Sequence, residues 1–406
     1  MAAPEQIVIV GASLAGAKAA EALREEGYDG RVVLIGAEAE LPYERPPLSK
    51  YYLRGESDRE KARVHDAAFY AEKDIDLRTG TAVEAIDVAG RCVTLAGGES
   101  VAWDRLLLTT GAEPRRVPIP GADLEGVLSL RTLDDSDRLR AAIQGGGRLA
   151  VIGAGWIGAE AAASARQLGA EVTLIERLDV PLETVLGPTV GKIYADAHRE
   201  QGVELLTGAA VEAIEGDGKV EGVRLAGGRV VDCTAVLVGV GVAPRTALAE
   251  AAGLAVDNGI LVDANLQTSA PDVYAAGDVA NHDHPFYGRR VRVEHWANAL
   301  NQGPAAARNM LGAGQAYERL PYFYSDQYDV GMEYSGLAKG DDQVVIRGDE
   351  ATRELIAFWL EDGRVVAGMN MNVWDVTGPI QALIRSRKTV DPARLADPSV
   401  PLEELA

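Results

Sequence analysis

The sequence predicts an α/β protein made of two Rossmann-like dinucleotide-binding domains followed by a small α+β domain. Three observations carry this reading. A strand–turn–helix–strand pattern occurs twice, a second pattern recurs after each copy, and the patterning changes beyond residue 320.

The first copy spans residues 6–38, QIVIVGASLAGAKAAEALREEGYDGRVVLIGAE, and the second spans 148–177, RLAVIGAGWIGAEAAASARQLGAEVTLIER. Each has an apolar strand, a glycine-rich turn, an alanine-rich helix and a second apolar strand ending near an acid, which is the dinucleotide-binding fingerprint. Its glycines allow a tight turn, let the backbone approach a pyrophosphate, and permit close packing of helix on strand. The helix N-terminus then offers free N–H groups and a positive dipole end to the phosphates. The second turn, Gly153–Ala154–Gly155–Trp156–Ile157–Gly158, is complete. The first, Gly11–Ala12–Ser13–Leu14–Ala15–Gly16, carries Ser13 in place of the middle glycine, a small side chain able to hydrogen-bond a phosphate. One such turn is weak evidence, since any glycine-turned βα unit mimics it. Two in the same context, about 140 residues apart, point to two bound dinucleotides.

The acids separate the copies. Glu176 directly follows VTLI, placed to accept hydrogen bonds from an adenosine ribose and to repel a 2′-phosphate, which favours NADH over NADPH. Arg177 beside it is the counter-argument, because an arginine there can host that phosphate. In the first copy Gly36 and Ala37 follow the strand and the acid arrives at Glu38, either a ribose ligand or a solvated loop residue.

Residues 104–116, DRLLLTTGAEPRR, form an apolar strand ending in Thr110–Gly111 and a proline-bearing turn. Residues 234–246, TAVLVGVGVAPRT, repeat that arrangement around Gly241. Each reads as a point where the chain crosses between domains. The resulting boundaries are 1–112 with 243–320 for the first domain, 113–242 for the second, and 321–406 for the third. In the third, PYFYSDQY, VGMEYSGL, DDQVVIRG and RELIAFWLEDGRVVAGMNM alternate with glycine turns and precede PIQALIRSRK, predicting antiparallel strands and a terminal helix.

Composition sets bounds. Hydrophobic residues make up 47% and charged residues 25%, ordinary for a globular chain of 406 residues. The net charge of −21 argues against nucleic acid and against an anionic membrane surface. The opening MAAPEQIVIVG lacks a basic segment followed by an apolar run, and no apolar stretch approaches the ~18 residues that span a bilayer, so a cytoplasmic protein is expected. Cys92 and Cys233 lie far apart in strand-like runs and read as inert thiols. His65, His198, His282, His284 and His295 form no ligand pattern, so no metal is expected; His282 and His284 in NHDHP are either a metal-binding pair or, the better reading, a solvated loop.

Taken together, YERPPLSK, RTLDD (131–135), GAGWIGAE, TSAPDVYAAGD (268–278), VEHWANALNQG (293–303) and the SDQY segment resemble the NADH-dependent ferredoxin reductases of the putidaredoxin reductase and dioxygenase-reductase type. The resemblance runs from the first strand to PLEEL near the end. It implies the glutathione reductase-like fold, with FAD in the first domain and NADH in the second. Asp278, by itself a turn or cap residue, resembles the aspartate of the second FAD fingerprint in two-dinucleotide flavoprotein disulfide reductases, which binds the ribityl chain.

The family pattern further implies that Lys50 lies beside the reactive flavin ring and that Glu160 faces it. Such a pair favours a charged lysine, while burial opposes it. Without the resemblance both would read as surface residues. Arg45, Val83, Arg131 and Trp296 match other FAD positions, alongside Gly11, Ser13, Leu14, Ala15, Gly16, Glu38, Thr110 and Gly111. Trp296 alone would equally be a half-buried aromatic. For NAD the matching positions are Gly153, Gly155, Trp156, Ile157, Gly158, Glu160, Glu176 and Gly241. The chain departs from the family at Ala37, where an acid is common, at Tyr322 and Tyr324, often tryptophans, and at Arg245, where asparagine is common.

Many related flavin enzymes carry a redox-active cysteine in the region LPYERPPLSK (41–50), and this chain has none. The implied reaction is hydride transfer from NADH to FAD, then single-electron transfers to a 2Fe–2S ferredoxin that feeds a haem monooxygenase or ring-hydroxylating dioxygenase. Alternatives are a rubredoxin or other small-acceptor reductase, and a redox-responsive NADH-binding flavoprotein. An acidic ferredoxin would need a local basic patch on this acidic chain, either Arg289, Arg290 and Arg292 or Arg385, Arg387 and Lys388; each is equally well a solvated face.

Overall fold

The computed structural model describes residues 4–339 and 342–406. Residues 1–3, Gly340, and Asp341 at the head of the DDQVVIRG segment lie outside the described residues. The chain divides into two compact units. One comprises Met1–Arg45, Arg59–Glu113 and Val242–Pro321; the other comprises Pro46–Asp58, Pro114–Gly241 and Tyr322–Ala406. The stretch LPYERPPLSK is therefore divided after Arg45, and the C-terminal segment belongs to the second unit.

The first unit is built on a parallel sheet in the order Val273–Ala275, Arg105–Leu108, Gln6–Val10, Arg31–Ile35, Ile75–Arg78. Ile7, Val8, Ile9, Val32, Val33, Leu34, Leu106 and Leu107 are fully buried, as expected of parallel strands covered on both faces. Gly11 turns the chain at φ +119°, and a Cβ there would stand 2.2 Å from the Thr109 carbonyl oxygen, so only glycine fits. The helix Leu14–Glu25 is alanine-rich for a packing reason. A Cβ on Gly303 of the helix Trp296–Met310 would lie 2.2 Å from the Ala15 carbonyl oxygen, so these two helices meet backbone to backbone.

The second unit repeats this plan, with a parallel sheet ordered Glu204–Leu206, Glu171–Ile175, Arg148–Ile152, Ala235–Val238, Val127–Leu128. The repeat is longer than the two βαβ stretches alone. Ahead of its core strand Arg105–Leu108 or Ala235–Val238 each copy carries a three-stranded antiparallel sheet, Val83–Asp87, Cys92–Leu95 and Ser100–Ala102 in one, Val211–Glu215, Gly222–Leu225 and Val230–Asp232 in the other. Both open on the same five residues, AVEAI at 82–86 and at 210–214, with a register shift at the same place, Val83/Ala85 and Val211/Ala213.

Residues beyond 321 form the expected antiparallel sheet, ordered Tyr322–Gln327, Val330–Gly336, Arg364–Met371, Glu354–Glu361, Gln343–Asp349, with the helix Thr377–Ser386 following. The core of this sheet, including Met332, Tyr334, Trp359 and Met369, packs with Leu186, Val190 and Tyr194 of the helix Glu183–Glu200. Trp359 donates its indole N–H to the Leu186 carbonyl at 3.3 Å. Among the described residues no helix is long and apolar enough to cross a membrane.

Candidate functional site

The first unit contains a cavity of about 470 Å³ at the C-terminal ends of its parallel strands, where ligands of open α/β sheets bind. Gly11, Ser13, Glu38, Arg45, Val83 and Thr110, six of the expected FAD residues, line it. Ser13 sits at the N-cap of the helix Leu14–Glu25 without a capping side-chain hydrogen bond, so the helix N–H groups that Leu14, Ala15 and Gly16 provide are left to a ligand's phosphate. A Cβ at Gly16 would meet the Gly11 carbonyl oxygen at 2.1 Å, so this glycine sets how closely the helix approaches the turn. Gly111 has φ +68° and accepts the Arg245 N–H at 2.9 Å.

Glu38 is a wall residue of the cavity rather than a solvated loop acid. Its carboxylate accepts from Arg45 Nη2 at 2.8 Å and from the Tyr43 hydroxyl. Burial alone would raise its pKa, but the Arg45 charge and the two hydrogen bonds hold it below the ordinary carboxylate range. Arg245, a departure from the family pattern with no expected role, also lines the cavity, with Thr110 Oγ1 donating to its carbonyl at 2.8 Å. Asp278 lies in the short 3-10 turn Gly277–Val279, and its charge acts on Arg45. Trp296 begins the helix Trp296–Met310 and is half-buried. A glycine turn on a free helix N-terminus, a half-buried arginine and a void of this size fit the adenylate half of FAD.

In the second unit the three turn glycines divide their work. Gly153 has φ +97° and a Cβ there would stand 2.6 Å from the Gly239 carbonyl oxygen; a Cβ on Gly158 would reach the Gly153 oxygen at 2.0 Å. Gly155 is exposed with nothing within 4 Å of its Cβ position, the open approach a pyrophosphate requires. Glu176 accepts the Ala154 N–H at 2.7 Å and the Leu178 N–H at 2.9 Å. The acid thus secures the turn, and its remaining lone pairs can accept from a ribose. Arg177 is exposed, as is Ile157, and Gly241 accepts the Arg115 N–H at 2.9 Å. Trp156 packs edge-on against Phe323, 4.8 Å between ring centroids.

Lys50 and Glu160 are buried, contrary to a surface reading of either one. Their side chains are each 4% exposed, with Lys50 Nζ 2.7 Å from Glu160 Oε2. Ser49 Oγ donates to the same carboxylate and Ser325 Oγ to its other oxygen at 2.7 Å. Lys50 Nζ also lies 5.5 Å from the centre of the Tyr324 ring. Ser49 and Ser325 escaped sequence reasoning, though both sit inside segments it singled out. Arg131 belongs to this unit, where its N–H donates to Asp135 at 3.0 Å beside the capping box of the helix Leu133–Ile143.

The histidine pair is structural: His282 and His284 use Nε2 on the carbonyls of Tyr317 and Arg319, at 3.0 and 2.9 Å, and both are buried instead of solvated. No metal-holding cluster occurs among the described residues. Two of the three arginines in GRRVRVEH are engaged internally, Arg290 with the Asn281 carbonyl at 2.9 Å and Arg292 with the Asp278 carbonyl at 3.1 Å.

Residues 5–303 match the family described as pyridine nucleotide-disulphide oxidoreductase, and residues 322–406 match the family described as reductase C-terminal. Similar proteins include the 5,5′-dehydrodivanillate O-demethylase ferredoxin reductase subunit of Sphingobium sp., 41% identical over 98% of this chain and 97% of that one. Putidaredoxin reductase CamA of Pseudomonas putida is 37% identical over 100% of this chain and 97% of its own length. Among solved structures, the ferredoxin reductase for the CYP199A2 system from Rhodopseudomonas palustris superposes with a TM-score of 0.95 at 37% identity, covering 99% of this chain and 100% of that chain. The covalent putidaredoxin reductase–putidaredoxin complex gives 0.94, again at 37% identity, over 100% of this chain and 98% of the other.

Proposed function

The chain belongs to the pyridine nucleotide-disulphide oxidoreductase family and ends in that reductase C-terminal domain, and from this premise we propose that it is a cytoplasmic, FAD-dependent NADH:ferredoxin oxidoreductase serving an oxygenase. The observation that carries the reading is the buried Lys50–Glu160 pair, whose lysine lies in the stretch 41–50 where a thiol relay would be expected. Cys233 is 1% exposed, and burial pushes its thiol up to about 11, so it is no nucleophile at neutral pH. Bound FAD would supply the conversion between a two-electron donor and a one-electron acceptor.

The residues divide the work around that chemistry. In the FAD-binding domain Gly11, Ser13 and the start of the helix Leu14–Glu25 receive the pyrophosphate, Glu38 and Arg45 frame the adenosine, and Asp278 takes the ribityl chain. In the NADH-binding domain the turn Gly153–Gly158 receives the second pyrophosphate, and Glu176 selects the unphosphorylated ribose. Lys50, anchored by Glu160, serves the flavin ring.

The test is turnover. Purified protein with FAD, NADH, a 2Fe–2S ferredoxin and cytochrome c should reduce the cytochrome only when ferredoxin is present, with NADH strongly preferred over NADPH. Rapid NADH-dependent reduction of a disulfide or persulfide without ferredoxin activity would overturn the assignment.

A further inference from the structure

A chain of buried hydrogen bonds inside the second unit ends on Glu160. The Tyr328 hydroxyl lies 2.9 Å from Nδ1 of His198, and His198 Nε2 lies 3.1 Å from Oε1 of Gln327. Gln327 Nε2 donates to Ser325 Oγ at 3.4 Å, and Ser325 Oγ donates to Glu160 Oε1 at 2.7 Å. His198, Ser325, Gln327 and Glu160 are 0%, 1%, 2% and 3% exposed. The SDQY segment, distinctive in sequence and given no role so far, supplies three of the members. Strand alternation turns Ser325 and Gln327 inward and leaves Asp326 exposed.

The polarity of the chain follows from its last member. A carboxylate only accepts, so Ser325 spends its single proton on Glu160 and must itself accept from Gln327. The Gln327 amide nitrogen therefore faces Ser325 and its oxygen faces His198, which must carry its proton on Nε2. Nδ1 is then the acceptor for the Tyr328 hydroxyl. Every donor points toward Glu160, and such aligned bonds polarise one another in a dry interior. Burial, its largest influence, lowers the His198 pKa to about 4, so the neutral ring this arrangement needs is the form present at neutral pH.

The backbone gives an independent indication. Tyr328 opens the two-residue turn between Tyr322–Gln327 and Val330–Gly336 with φ +59°, a conformation for which glycine or asparagine is preferred. A bulky aromatic held there is placed for its side chain.

We propose that Tyr328, His198, Gln327 and Ser325 form a positioning chain that fixes the Glu160 carboxylate on Lys50 and thereby sets the charge this pair presents to the flavin. The proposal rests on the reading that the pair serves the flavin. None of the four touches the reacting atoms.

Gln327→Glu tests the polarity at constant shape, because its carboxylate draws the Ser325 proton away from Glu160. Ser325→Ala removes the last donor, and Ser325→Thr restores it. For each FAD-bound variant the rate constant of flavin reduction by NADH, the KM for NADH, the midpoint potential of the bound flavin and the Tm are measured. Q327E and S325A should slow flavin reduction about tenfold, the effect of one lost hydrogen bond to a charge, with KM unchanged and the potential moved negative. S325T should stay within about twofold of the parent. A fall in Tm with potential and rate constant unmoved in both Q327E and S325A would overturn the chain. Lys50→Ala in parallel separates the premises. If it leaves rate and potential unchanged, the reading of the pair fails and the proposal falls with it; if it alone changes them, only the chain is wrong.

Discussion

Lys50 and Glu160 stand 110 positions apart in the sequence and 2.7 Å apart in the fold. The carboxylate is shared by an ammonium and two serine hydroxyls in a place nearly closed to solvent. A buried pair of this kind owes its tolerance to completeness, since desolvation of each ion is offset only while the other is present.

Removing one member should therefore cost more than removing both. Glu160→Leu, which strands the Lys50 charge, is expected to destabilise by about 3–5 kcal/mol in urea unfolding. Lys50→Met with Glu160→Leu together should recover most of that loss. A double variant no more stable than the single one would show that the two side chains are energetically independent.

The cavity proposed for FAD holds Arg45 and Arg245 facing Glu38, Glu113 and Glu250. Arg45→Ala should weaken FAD binding to the apoprotein about tenfold, because it removes a half-buried cation and releases Glu38; Arg245→Ala, at an exposed side chain, should weaken it only about threefold. Fluorescence titration with FAD reads both. The Glu38 pKa lies below its ordinary value, so its contribution to stability is present above the ordinary carboxylate range and lost as pH falls through the folded value. Glu38→Gln should flatten that acid limb.

His198 should make the fold acid-sensitive at a higher pH. The unfolded chain takes up a proton near 6.5, whereas the buried ring refuses it until about 4. Stability is thus full above the unfolded value and declines as pH falls toward about 4, by on the order of 3 kcal/mol for a buried group of this kind. Thermal unfolding from pH 7.5 to 4.5 should show this decline in the parent and a shallower one in His198→Gln.

Arg347 is expected to hold the C-terminal tail. Its guanidinium donates to the carbonyls of Leu395, Asp397, Pro398 and Val400, at 3.4, 2.7, 3.2 and 2.7 Å. Arg347→Ala should open residues 392–406 to limited proteolysis, with the rest of the chain retained and a stability loss of about 1–3 kcal/mol. Unchanged cleavage of the tail would show that apolar packing alone secures it.

Much of the fold could be read from the sequence because glycine spacing and apolar runs are local signals. Gly153 and Gly158 make the tight turn and close packing their spacing implies, and Glu176 follows its strand as expected but also secures the turn through the Ala154 and Leu178 N–H groups. The repeated AVEAI is equally legible, and it marks the fold without carrying chemistry. Lys50 and Glu160 could be paired only through family resemblance, since no periodicity joins a loop lysine to a helix glutamate. Ser325, Gln327 and His198 were out of reach for the same reason: a hydrogen-bond chain between a helix end and a strand is a tertiary fact. Glu38 was ambiguous because its partners, Tyr43 and Arg45, lie on a loop whose path only the fold fixes.

The order of strands in the first parallel sheet bears on how the protein is made. Its edge strand Val273–Ala275 joins Arg105–Leu108, so the sheet waits for some 160 further residues to leave the ribosome, roughly ten to thirty seconds at ordinary elongation rates. The parallel sheet of the second nucleotide unit is complete by Val238. The nascent chain thus finishes the sheet proposed for NADH before the one proposed for FAD, and a flavin bound there would be captured only late in synthesis or after it. Expression at limiting riboflavin should accordingly yield folded, flavin-poor protein that FAD later restores.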